Sequence, residues 1–85
     1  MYRVLFSKEA RREMLKLPPP IAARIREKLT LLAEDPYAQH NNVTKLQNRP
    51  GYRLRVGDWR VIYEVQGDEL KILVIKIATR GDIYR

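Results

Sequence analysis

The stretch at 51–65, Gly-Tyr-Arg-Leu-Arg-Val-Gly-Asp-Trp-Arg-Val-Ile-Tyr-Glu-Val, constrains the fold more than any other part of the chain. Two segments of alternating polarity flank Gly57-Asp58. Glycine followed by a polar residue between such segments signals a short hairpin, and glycine in the first central position suits a type II′ turn. A two-residue turn then fixes the register. Val56 faces Trp59, Arg55 faces Arg60, Leu54 faces Val61, Arg53 faces Ile62 and Tyr52 faces Tyr63. Paired residues share a side of the sheet, so one face carries Tyr52, Leu54, Val56, Trp59, Val61 and Tyr63. The other carries Arg53, Arg55 and Arg60. Arg55 and Arg60 oppose each other as like charges, which destabilises a ladder. A polyanion laid across them turns that repulsion into attraction; the alternative is an ordinary solvated strand face with no ligand.

Charge supports a search for an acidic partner. Seventeen Lys and Arg against ten Asp and Glu give +7 on 85 residues, which points to nucleic acid or an acidic protein. That length predicts a single small domain spanning residues 1–85, with a modest core. An apolar content of 45% argues against wholesale disorder. With no cysteine, neither a disulfide framework nor a thiolate metal site is available. No signal peptide is evident, and no apolar run reaches the ~20 residues that span a bilayer, so a cytoplasmic location without membrane contact is expected.

Residues 2–6 read as a short strand. Ser7 is a candidate N-cap, and Ala10, Met14 and Leu17 recur at helical spacing over 8–16. Pro18-Pro19-Pro20 stops that helix and can open the next. Ile21, Ile25, Leu29 and Leu32 mark one face of a second helix, ended by Asp35-Pro36. The basic outer positions Arg11, Arg12, Arg24, Arg26 and Lys28 are either solubilising surface or RNA contacts. Residues 37–50 read as a polar, irregular segment with Leu46 as a buried anchor. It holds His40, the one histidine, which has no orienting group nearby and so makes a poor catalytic candidate. A turn at 66–69 precedes an apolar strand at 70–78, buried on both faces or nearly so. The order predicts an α+β two-layer fold: a helical hairpin packed on a mostly antiparallel four-stranded sheet. Its expected core is Leu5, Met14, Ile25, Leu29, Leu32, Leu54, Val61, Tyr63, Leu73 and Ile75.

Lys45-Leu46, the run Tyr-Arg-Leu-Arg-Val-Gly-Asp-Trp-Arg-Val-Ile-Tyr at 52–63 and the ending Arg80-Gly81-Asp82-Ile83-Tyr84-Arg85, in this order of elements, closely resemble the RelE/ParE toxin superfamily. They are most similar to its RelE branch. The resemblance implies the RelE-like fold and the toxin component of a type II toxin–antitoxin system. It implies a ribosome-dependent endoribonuclease that cuts translated mRNA by attack of a ribose 2′-hydroxyl, with neither cofactor nor metal. A cognate acidic antitoxin is implied as partner, in a hetero-oligomer, together with the ribosome and mRNA.

Carried over by position, the catalytic set is Arg53, Arg55, Arg60, Arg80 and Tyr84, with Lys45, Arg49, Arg11 and Arg12 as RNA- or ribosome-binding residues. In that scheme Arg60 and Arg80 are expected to clamp the scissile phosphate, Arg53 and Arg55 to bind phosphates, and Tyr84 to stack on a base or move a proton. One departure bears on proton transfer. Relatives carry lysines where this chain has Arg53 and Arg55, and arginine stays protonated and is a poor general base. Two other function classes stay open: a ParE-like DNA gyrase inhibitor, and a catalytically inert RNA- or antitoxin-binding module.

Overall fold

Ser7 sets the first corner of the structure, a computed structural model that describes residues 1–79. It closes strand β1 (Arg3–Phe6) and caps helix α1 (Lys8–Lys16), its Oγ accepting from the Ala10 amide at 3.0 Å. The proline run breaks the chain after Leu17. Helix α2 (Pro19–Glu34) starts with prolines in its first turn, where a missing amide is harmless. Strands β2 (Val43–Lys45), β3 (Tyr52–Val56), β4 (Trp59–Gln66) and β5 (Lys71–Thr79) follow, with a 3₁₀ turn at Gly67–Glu69 before the last.

The strands form one sheet in the order β1-β5-β4-β3-β2, parallel at β1/β5 and antiparallel elsewhere. Both helices lie against one face. Ala10, Met14, Ala22, Ile25, Leu29 and Leu32 join Leu54, Val56, Val61, Tyr63, Ile72, Val74 and Ile77 in a single buried cluster. The expected α+β two-layer architecture stands, and among the described residues no helix is long and apolar enough to cross a membrane.

Two expectations need correction. The sheet has five strands, not four, because Val43–Lys45 inside the polar segment pairs with β3, Val43 opposite Leu54 and Thr44 opposite Arg53. Three residues are too few to show a period, so the strand hides among its polar neighbours. The core forecast also fails at Leu5, Leu73 and Ile75. Leu5 is 38% exposed, and Leu73 and Ile75 are half-buried.

The cause is strand parity. Val4 and Phe6 turn to the helices, which leaves Leu5, opposite Leu73, on the other face. Along β5 the register jumps: Ile62 pairs with Lys76 but Tyr63 with Val74, so Ile75 is an extra residue. The bulge lets Ile72 and Val74 face the helices on one side of it and Ile77 on the other. Ser7 holds the irregularity in place. Its amide donates to the Val74 carbonyl at 2.8 Å and its hydroxyl to the Ile75 carbonyl at 2.7 Å.

Candidate nucleic-acid interface

The β3–β4 hairpin positions the arginines. All five expected pairs occur, from Val56 opposite Trp59 to Tyr52 opposite Tyr63. Gly57 has φ +59° and Asp58 does not enter the left-handed region, as a II′ turn requires. Leu54, Val56, Val61 and Tyr63 are buried against the helices. Alternation therefore sends Arg53, Arg55 and Arg60 to the face that neither helix packs on. Ile62 lies between Arg53 and Lys76 in the register and is only 1% exposed, yet it is outside the helix-side cluster. Long cationic side chains can lay aliphatic stems over such a residue while their heads stay at the surface.

The like-charged pair is managed by separate acceptors. Arg60 Nη1 donates to the Gly57 carbonyl at 3.1 Å and to the Trp59 carbonyl at 3.2 Å, which ties the guanidinium to the turn. Arg55 Nη2 reaches the other way, to Asn42 Oδ1 at 3.5 Å, a long contact. The Arg55 amide donates to the Asn42 carbonyl at 2.9 Å. Asn42 sits at φ 65°, where asparagine is tolerated better than most residues. The two guanidiniums thus have different acceptors, Arg60 at the turn and Arg55 beside β3.

Lys45, Arg49 and Arg53 meet at the β2 edge. With Thr44, Leu46 and Gln47 they line a cavity of about 480 Å³. The loop carrying Arg49 is closed by the Leu46 amide donating to the Gly51 carbonyl at 3.0 Å. Gly51 is needed there: φ is +112°, and a Cβ would stand 2.8 Å from the Tyr63 carbonyl oxygen. Leu46, the expected anchor, is half-buried beside it.

Other candidates are placed apart. Arg11 and Arg12 are exposed on α1, in the helical layer across the sheet from Arg53 and Arg55. Arg80 and Tyr84 lie outside the described residues. His40 donates from Nε2 to the Asp35 carbonyl at 2.7 Å, so it secures the end of α2. Two participants escaped sequence reading. Lys76 reaches the arginine face because the Ile75 bulge resets the strand. Asn42 gave no signal, since its partner lies 13 residues away.

Tyr63 is the buried polar anomaly. Its ring stacks on Tyr52 with centroids 5.4 Å apart, and its hydroxyl has no hydrogen-bond partner among the described residues. Burial, with Tyr52 adding to it, pushes its pKa well above the ordinary 10.0. On the helix side of the sheet this phenol is a core group.

Comparison with known proteins places this arrangement. Residues 4–84 match the family model described as the ParE toxin of the type II toxin–antitoxin system parDE. Toxin RelG of Mycobacterium tuberculosis is 28% identical over 85 residues, covering 99% of this chain and 97% of its own. The RelE–RelB complex of Pyrococcus horikoshii contains a chain 32% identical with a TM-score of 0.80, covering 95% of this chain and 97% of that one. The isolated Escherichia coli RelE toxin is 25% identical with a TM-score of 0.81, covering 99% and 92%.

Proposed function

The chain belongs to the ParE toxin family of type II toxin–antitoxin systems, and we propose that it acts in the RelE manner, as a ribosome-dependent endoribonuclease on translated mRNA. The observation that carries this reading is the hairpin register. It gathers Arg53, Arg55 and Arg60 on the sheet face away from the helices, with Arg60 oriented by two turn carbonyls.

The chemistry is a transesterification within the RNA. A ribose 2′-oxygen bonds to the adjacent phosphorus as the bond from phosphorus to the 5′-oxygen breaks. The 2′-hydroxyl gives up its proton, the 5′-oxygen gains one, and a cyclic phosphate remains. The nucleophile is the substrate's own, so the protein contributes orientation and charge. Arg60, with Arg80, clamps the phosphate whose charge builds up; Arg53 and Arg55 hold the strand. Tyr84 stacks on a base or moves a proton. Its ordinary pKa of about 10 requires nearby cations for the second role.

A cognate acidic antitoxin completes the reading. It is supported by the +7 charge and by related RelE chains whose solved structures are complexes with RelB. Such a segment gains affinity by folding as it wraps the toxin.

Gyrase inhibition is the second reading, favoured by the match to a family model named for ParE. Induced expression with transcript end-mapping, run beside a supercoiling assay, separates the two. Codon-phased cuts in translated messages are expected; poisoned gyrase with intact messages would overturn the proposal.

A further inference from the structure

We propose that the end of the molecule formed by the close of α2, the start of β1 and the β4–β5 turn is a docking surface for a basic protein segment, one that offers an apolar side chain among lysines and arginines. The eight residues of β4 separate this end from the Gly57-Asp58 turn, about 25 Å in an extended strand. The surface is distinct from the arginine cluster, and the inference does not rest on the RNA-directed reading.

Three local costs converge there. Leu70 leaves the 3₁₀ turn at φ 53°, ψ 50°, the left-handed region that suits glycine or asparagine far better than leucine. It is 54% exposed, so burial does not offset the strain. Tyr37, at the same end, is 62% exposed. Helix α2 closes on Glu34 and Asp35 with no basic residue in its last turn, although the chain holds seventeen. Carboxylates there add to the negative end of the helix dipole, which is unfavourable in the free chain. Choices that local rules disfavour, gathered in one place, mark a surface kept for function.

Hydrogen bonds bring these residues together. The Tyr2 amide donates to the Ala33 carbonyl at 2.9 Å and the Arg3 amide to the Leu70 carbonyl at 2.9 Å, which joins the start of β1 to both α2 and the turn. Tyr37 crosses to the turn as well: a Cβ at Gly67 would stand 2.9 Å from its hydroxyl. Tyr37 and Leu70 thus supply apolar contacts, with the exposed carboxylates of Glu34, Asp35 and Asp68 at the same end. The nearby cations are placed otherwise. Lys71 is held by Glu69 at 3.3 Å, and Arg3, in register with Lys71, shares the sheet face of Leu5, away from the helices. His40 is bonded to the Asp35 carbonyl and not to its carboxylate.

This arrangement selects the occupant. Carboxylates repel RNA and acidic peptides and attract an ammonium or guanidinium, which the Tyr37 ring also accepts on its face. A small counter-ion has no use for an exposed leucine. Leu70 beside carboxylates calls for a segment that carries an apolar anchor and cations together.

The test uses the full chain and a synthetic amphipathic peptide of about twelve leucines, lysines and arginines, with a leucine–glutamate peptide and a single-stranded oligodeoxynucleotide alongside. Binding is read by anisotropy at low salt. Leu70→Asn, which removes the anchor and tolerates the left-handed backbone, is expected to weaken the basic peptide about tenfold while melting at or above the wild-type temperature. Glu34→Gln with Asp68→Asn should weaken it similarly and flatten its salt dependence. The oligodeoxynucleotide should bind all chains alike. A wild-type chain that ignores the basic peptide would overturn the proposal, as would a Leu70→Asn chain that binds it unchanged. A lower melting temperature in Leu70→Asn would make the leucine a packing residue and would overturn it too. So would a loss confined to the glutamate peptide or the oligodeoxynucleotide, which would give the surface to a polyanion. None of these readouts involves message cleavage or gyrase, so the docking surface and the proposed function fail separately.

Discussion

Along β3 the side chains alternate between Leu54, buried under the helices at 1% exposure, and Arg53 and Arg55 on the opposite face. The two faces share every backbone hydrogen bond and differ in what their side chains contact. The helix side is one continuous apolar cluster drawn from α1, α2, β3, β4 and β5, with Val4 and Phe6 of β1 and Val43 of β2 packed against it. The arginine side holds a like-charged pair, a different set of polar acceptors for each member, and one buried residue, Ile62, outside the helix-side cluster. The difference teaches where each property resides. Removing atoms from the helix side costs packing, while removing charge from the other side leaves the packing intact and weakens the hold on an anion.

The largest expected effect is on the helix side. Leu54→Ala should destabilise the chain by about 2–5 kcal/mol, since it deletes buried methyl groups and leaves a cavity between β3 and α2. Chemical denaturation measures it. A loss below about 1 kcal/mol would mean the cluster is loosely packed, and the contrast between faces would weaken.

Ser7→Ala tests the corner that sets the β5 parity. It removes a helix cap and the hydroxyl that satisfies the Ile75 carbonyl. A loss of about 1–2 kcal/mol is expected, with hydrogen exchange quickening first around the bulge. If exchange there is unaltered, Ser7 is a cap alone.

Tyr63→Phe should change stability by less than about 1 kcal/mol at neutral pH, because the hydroxyl it removes is buried without a partner among the described residues. In alkali the sign is set by linkage. The folded pKa is raised, so this group's contribution is complete below the unfolded value of 10.0 and is lost as pH climbs above it. There the unfolded chain releases the proton while the buried phenol keeps it. Wild type should therefore lose up to about 1.4 kcal/mol per pH unit from this group above pH 10, and Tyr63→Phe should lack that share. Identical alkaline unfolding of the two chains would contradict the burial of the phenol.

How much of this was legible follows the same division. The hairpin, its register and the arginine cluster were readable because a two-residue turn with glycine leaves one pairing, and alternation does the rest. The helices were readable from Ala10, Met14, Ile25, Leu29 and Leu32 at helical spacing. The phase of β5 was not readable. Its run is apolar in consecutive positions, so nothing in it marks Ile75 as the extra residue, and Leu73 was placed on the wrong side with it. The bulge is fixed from a distance by Ser7, 68 residues away. Strand β2 was invisible for a related reason: Val43 becomes a strand residue only through Leu54. In the site, the type of each side chain could be read, but not that Arg60 is tied to Gly57 and Trp59, or that Arg55 reaches Asn42.

The smallest expected effect on stability accompanies the largest on activity, at Arg60. Its side chain gives up hydrogen bonds to two turn carbonyls on conversion to alanine, and the repulsion with Arg55 disappears, so the two changes roughly offset. The decisive measurement pairs thermal melting of Arg60→Ala with cleavage of ribosome-bound messenger, with Arg60→Lys alongside. The account predicts a melting temperature near wild type, a fall in cleavage of about a hundredfold or more for loss of one preorganised donor, and partial recovery in the lysine variant, which cannot reproduce a bidentate fork. An alanine variant that melts normally and still cuts translated messenger at the wild-type rate would contradict the assignment of catalysis to the arginine face.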